Sequence, residues 1–236
     1  MKTIKRFLMI AVVAASAIFT GCESRDSDMI LPENPIFQNY YVKYNLTKKQ
    51  TEAKATFRTI DKTGTRLALK GKSSVVLNGK KQDVFSTAVI DGYFYSWKKQ
   101  KGLLDAKFTY VKNGMKRFNN TFSAKDVSKI EFKSGHDKLS LKKDNTITWK
   151  GNAVKAGEEV YVIVYQDGKT SAIPSTTKVG ATSVVIKKGD LKNLKAGKAK
   201  ISLTRKLTKK TIKEVDGKAG GNVTLEMVVE KETFLK

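Results

Sequence analysis

The chain has 236 residues, with 46 Lys and Arg against 22 Asp and Glu, a formal net charge of +24, and 40% hydrophobic residues. That apolar share suffices for packed cores and excludes a disordered polymer, and three prolines exclude collagen-like or polyproline architectures. One cysteine makes no intrachain disulfide or thiolate cluster and one histidine supplies no multi-imidazole site, so no metal, cofactor or catalytic residue is expected and the chain reads as non-enzymatic.

Lys2, Lys5 and Arg6 open the chain, and Phe7 to Thr20 follow as an uncharged, largely apolar run that stops before Gly21 and Cys22. This is the layout of an export signal over residues 1–21. The run is shorter than the roughly 20 residues of a spanning helix, and no later uncharged segment reaches that length, so no transmembrane helix is expected in the mature protein. Phe19-Thr20-Gly21-Cys22 resembles the lipobox of bacterial lipoproteins, with Phe19 where Leu is usual. In that family the cysteine is lipidated and becomes the first residue after cleavage, so the resemblance implies a membrane anchor at Cys22.

Behind Cys22, Arg25 stands against Glu23, Asp26, Asp28 and Glu33. This short acidic stretch resembles the signal that sends Bacteroidetes-type lipoproteins to the outer face of the outer membrane. The resemblance implies an outer-membrane, lipid-anchored protein at the cell surface; the plainer reading is a solvated linker. Pro32 and Pro35 mark the end of this tether, residues 22–35.

From residue 36 onward short alternating runs replace any sustained helical period, and the body reads as all-β. Residues 53–58, 107–110, 160–164, 199–203 and 223–227 are candidate strands, because a period of two places alternate side chains on one face. Asn78-Gly79, Asn113-Gly114 and Asp167-Gly168 punctuate them with dipeptides that tolerate the positive φ of tight hairpins. Asp190–Leu194 reads as one short helical turn, closed by Gly197. Tyr93, Tyr95 and Trp97 alternate toward a core, whereas Tyr40, Tyr41 and Tyr44 fit either a strand cap or a ligand contact.

Trp97 with Phe108 before Asn113-Gly114, and Trp149 with Tyr161 before Asp167-Gly168, form a weak repeat that divides the body at about residue 134. Two tandem β-sandwich domains, 36–134 and 135–236, fit the size of seven-strand sandwiches, with one larger sandwich or barrel as the alternative. The pattern resembles the immunoglobulin-like or fibronectin-III-like modules of bacterial lipoproteins, without the cysteine pair of antibody domains.

Gly71-Lys72-Ser73 and Gly168-Lys169-Thr170 copy the tail of a P-loop but lack its leading glycine, since Arg66 and Ile163 stand at those positions, and neither opens a helical pattern. His136 reads as a surface or linker histidine, and Glu158-Glu159 as a solvated turn before a strand rather than an acid–base pair. A carboxylate-based hydrolase is the weakest alternative, because carboxylates are sparse.

The unusual feature is the basic segment Lys187–Lys213, with eleven Lys and Arg against Asp190. Lys198, Lys200, Arg205, Lys206, Lys209 and Lys210 are the candidate ligand-binding residues, with Lys198, Lys200 and Lys206 on the strand face opposite Ala199, Ile201 and Leu203. Such a stripe attracts a polyanionic glycan or another acidic envelope component through salt-sensitive forces, or it is a solvated face whose lysines block edge-to-edge pairing. Nucleic acid is disfavoured as a partner: the chain carries an export signal, only six arginines, and no recognition helix.

Overall fold

The structure, a computed structural model, describes residues 24–86 and 93–236; residues 1–21, expected to be an export signal, and Cys22 lie outside the described residues. The described chain is all-β, with strands β1 (Ser24–Asp26), β2 (Ile36–Asn45), β3 (Gln50–Thr59), β4 (Arg66–Ala68), β5 (Ser74–Leu77), β6 (Val84–Ser86), β7 (Phe94–Lys101), β8 (Ala106–Lys112) and β9 (Lys116–Phe122) in its first half. The second half contributes β10 (Ile130–Ser134), β11 (Lys138–Leu139), β12 (Asn145–Gly151), β13 (Glu158–Gln166), β14 (Lys169–Thr170), β15 (Ser175–Thr176), β16 (Ser183–Ile186), β17 (Gly197–Lys209) and β18 (Gly221–Leu235). Only short 3-10 turns interrupt them among the described residues, one of which, Lys188–Leu191, replaces the helical turn expected over 190–194.

The long strands form one twelve-stranded sheet whose spine runs β7-β3-β2-β18-β17-β13. Its spine is antiparallel except where β18 lies parallel to β2, Gly221 opposite Gln38 and Val228 opposite Asn45. The C-terminal strand is therefore sewn between the N-terminal hairpin and β17, and the hydrogen-bond ladder crosses the expected division at residue 134 without a break. Two three-stranded sheets, β5-β8-β9 and β10-β12-β16, form the second layer.

Strand parity explains the layering. In β13, Val160, Val162 and Val164 are buried while Tyr161 and Ile163 are half-buried on the other face. The first half of the core is aromatic: Tyr40 stacks on Phe108 at 4.4 Å, Phe57 lies 4.5 Å from Tyr110, and Trp97 meets Phe108 edge-on at 5.6 Å. The second half is mostly aliphatic, built from Val162, Ile201, Leu203 and Leu225 against Ile130, Ile147 and Ile186, with Phe132 and Trp149 as its buried aromatics. Each such side chain contributes about 1.5–3 kcal/mol when fully buried. Tyr95 and Trp97 are core residues, as expected, and so are Tyr40 and Tyr44, whose hydroxyls donate to Gln38 Oε1 and the Phe122 carbonyl.

The three turn dipeptides adopt the positive φ expected of them: Asn78 49° and Gly79 77°, Asn113 53° and Gly114 71°, Asp167 48° and Gly168 75°. The repeat, however, does not superimpose on the layers. Trp97 belongs to the large sheet and Phe108 to a small one, whereas Trp149 belongs to a small sheet and Tyr161 to the outer face of the large one.

Three local expectations are corrected. His136 is buried rather than on the surface, its ring 4.7 Å from Phe132, because the bulge after Phe132 turns the chain end of β10 inward. Glu158 and Glu159 lie within β13 rather than in a solvated turn, and Glu158 is buried. The tether is not a loose linker over its described part. Ser24–Asp26 pairs in parallel with β4, the buried Ser27 hydroxyl accepts the Lys70 N–H at 2.9 Å, and Ile30 packs against the core.

A buried ion pair fixes the end of the tether. Lys112 Nζ, 2.5 Å from Asp216 Oδ2, also donates to the Asn34 carbonyl at 2.7 Å, and Asp216 accepts the Ile36 N–H at 2.9 Å. One lysine on β8 thus ties the entry of the chain to the loop that leads into β18.

Candidate functional site

The proposed basic stripe lies on β17, and the register of that strand sorts its six residues. Lys198, Lys200 and Lys206 point to the outer face of the large sheet together with Ser202 and Thr204, as expected. Arg205 and Lys209 take the opposite parity, alongside Ile201 and Leu203. Arg205 is fully buried: its Nη1 donates to Glu158 Oε2 at 2.8 Å and the Ala153 carbonyl at 3.4 Å, and its Nη2 to the Asn152 carbonyl. It is therefore a structural residue with no surface to offer a ligand. Its two terminal nitrogens hold the β12–β13 loop against β17, while its buried Nε has no hydrogen-bond partner among the described residues.

The outer face is also less basic than its lysines suggest, because neighbouring strands bring carboxylates into register. One row across β3, β2, β18, β17 and β13 reads Glu52, Lys43, Glu226, Lys206, Glu159, alternating in sign. Lys206 Nζ lies 2.9 Å from Glu159, and its hydrogen bond holds that carboxyl below the usual glutamate range. Glu226 accepts the Tyr41 hydroxyl at 2.6 Å and the Tyr161 hydroxyl at 3.0 Å. Burial, then the Glu226 charge, pushes both phenols far above their ordinary range. Lys209 lies 3.5 Å from Asp126, and Lys210 is exposed just past the strand end.

The cations left without a carboxylate collect elsewhere. The Asp167-Gly168 turn and the segment Lys192–Lys195 border an open groove of about 610 Å³ lined by Gly168, Lys169, Thr170, Lys192, Asn193, Leu194 and Lys195. Gln166 builds this end by donating to the Lys195 and Lys198 carbonyls at 3.0 and 3.2 Å and accepting the Lys195 N–H at 2.8 Å. Lys169, Lys192, Lys195 and Lys198 are exposed, and no carboxylate lies within 4.0 Å of any of them among the described residues. Lys200, opposite Glu232 and Tyr165, borders the same end.

Of the six predicted residues, Lys198 and Lys200 thus lie beside this groove, Lys206 and Lys209 are paired with Glu159 and Asp126, Lys210 is exposed past the strand end, and Arg205 is in the core. Lys169 lies outside the basic segment 187–213, and its turn reads from the sequence as a hairpin and as a P-loop tail, not as part of a basic surface. Its position directly after a hairpin dipeptide, where a side chain stands exposed, is the available signal. Among the described residues no group of three or more His, Cys, Asp or Glu is placed to hold a metal ion, and no helix is long and apolar enough to cross a membrane. A search of protein-family models finds none that matches the chain, and a comparison with curated proteins finds no match either.

Proposed function

We propose that the chain is a lipid-anchored envelope protein, attached at Cys22 and displayed at the cell surface of the outer membrane, whose β body is a non-enzymatic binding module for acidic polymers. The observation that carries the binding part is the groove lined by the unpaired Lys169, Lys192 and Lys195, with the exposed Lys198 beside it. Ammonium groups on flexible stems attract sulfate, carboxylate or phosphate at long range without the bidentate geometry that arginine imposes. The matching ligand is a repeating polyanion such as an acidic polysaccharide rather than one phosphate held in a closed pocket. The groove and the tether lie at opposite ends of the long hairpin. β18 begins beside β2 where the tether enters, and it ends opposite Gly197, next to Gln166. Its fifteen residues span roughly 46 Å at ~3.3 Å per residue.

Heparin affinity at low and high salt tests the reading. Changing Lys169, Lys192 and Lys195 together to Glu is expected to weaken binding at least tenfold and to flatten its salt dependence, whereas Lys206→Glu changes it little. Equal loss in both variants, or none in either, would refute the groove.

A further inference from the structure

The end of the molecule where the chain enters carries a second unexplained surface. Four of the six most exposed large hydrophobic side chains among the described residues lie there: Met115 (75% exposed), Met29 (73%), Ile60 (61%) and Leu31 (60%). Direct contacts bring their segments together. Pro32 and Glu33 share a groove with Met115 and Lys116, the Ile60 N–H donates to the Pro35 carbonyl at 2.8 Å, and Leu31 closes a turn with Asn34, whose carbonyl accepts from Lys112. The rim is cationic: Lys62, Lys70, Lys72, Lys116, Arg117 and Lys218 are exposed, against Asp28, Glu33 and Asp61. Lys72 lies against Gly114 in the Met115 turn, and Gly217, preceding Lys218, lies against Pro35.

These apolar tips have no function in the core, and soluble surfaces rarely concentrate large apolar side chains in one place. What covers them follows from the path of the chain. Ser24 is already in the sheet, so Cys22 lies within about 7 Å of it, two residues being fully extended at most. An acyl chain at Cys22 would hold this end of the body, and no other, against the bilayer.

We propose that this end is a membrane-resting face: Met29, Leu31, Ile60 and Met115 enter the headgroup layer of an anionic bilayer, the surrounding lysines meet its phosphates, and the β17–β18 hairpin stands away from the surface. The inference rests on the lipid-anchor reading for its geometry, but its chemistry belongs to the folded face alone. Apolar tips inside a basic rim are the composition of an interfacial contact, and such a contact supplies the second membrane signal that strengthens a lipid anchor.

The test uses the full chain with Cys22→Ala, which carries no acyl group and leaves no other cysteine. A polarity-sensitive fluorophore is attached at Met115→Cys or, as a control at the far end, at Asp167→Cys. The probe surfaces are phosphatidylcholine vesicles with and without about 30% phosphatidylglycerol. The expected result is a blue-shifted label at 115 on anionic vesicles, an unchanged label at 167, and at least tenfold weaker binding when Met29, Leu31, Ile60 and Met115 are all changed to Glu. No response at 115, an equal response at 167, or unaltered binding by the fourfold variant would overturn the face. A groove-driven contact in particular would move label 167. Whether Cys22 itself is lipidated is read separately, from membrane fractionation of the unsubstituted protein, so the two readings fail independently.

Discussion

Arg205→Met tests the assignment that most changed the basic stripe. The side chains of Arg205 and Glu158 are 0% and 4% exposed, with their charged atoms 2.8 Å apart. Removing the guanidinium leaves Glu158 buried with only the Lys155 N–H, at 3.0 Å, and also releases the Asn152 and Ala153 carbonyls. Stranding one partner of a buried pair typically costs about 3–5 kcal/mol. For a urea dependence of about 3 kcal/mol per M, the unfolding midpoint should fall by about 1–1.7 M. Replacing both partners, Arg205→Met with Glu158→Leu, removes the stranded charge and should recover most of that loss. Heparin affinity of the still-folded protein should not change, because the guanidinium never reaches solvent. A single variant within about 1 kcal/mol of the parent, or a double variant whose losses simply add, would refute the buried-pair account.

Three further outcomes follow from the same structure. Burial lowers the His136 pKa, with Lys231 3.2 Å away opposing its charge and Asp137 partly favouring it. The unfolded chain therefore takes up a proton first as pH falls, so stability is lost from about pH 6.5 down to the lower folded value; His136→Asn should flatten that slope in pH-dependent denaturation. Lys112→Met strands Asp216 and should cost about 3–5 kcal/mol, with hydrogen exchange rising first at residues 24–36. Gly135→Ala should destabilise by at least about 2 kcal/mol in thermal melts, since Gly135 sits at φ 82° and a Cβ there would stand 2.0 Å from the Thr146 carbonyl oxygen.

Which parts of this were legible follows from the range of the forces involved. The all-β class, five strand segments, three positive-φ turns and the inward Trp97 rest on parity and turn chemistry, which neighbouring residues encode. The insertion of β18 between β2 and β17 joins residues more than 180 positions apart, and no local pattern announces a parallel pairing of that separation. The fate of the basic segment was half legible. The parity that sends Lys198, Lys200 and Lys206 outward also sends Arg205 inward, so its burial could be read; its partner Glu158 and the Glu159 that pairs Lys206 come from a strand 47 residues away. The composition of the tether points only to a solvated linker, because its attachment depends on single contacts such as Ser27 to Lys70 and Asn34 to Lys112. Within the core the aromatic half was more visible than the aliphatic one, since Tyr40, Phe57, Trp97 and Phe108 are few and large, whereas short valine and isoleucine runs look alike on either layer.

The measurement that bears most directly on the central claim is protease accessibility of the tagged protein on intact cells, combined with membrane fractionation of the native chain and of Cys22→Ala. The account predicts digestion of the native protein on sealed cells and release of the Cys22→Ala variant from the membrane fraction at physiological salt. Protection until the outer membrane is broken would contradict surface display, and a variant retained by membranes as firmly as the native protein would contradict the lipid anchor.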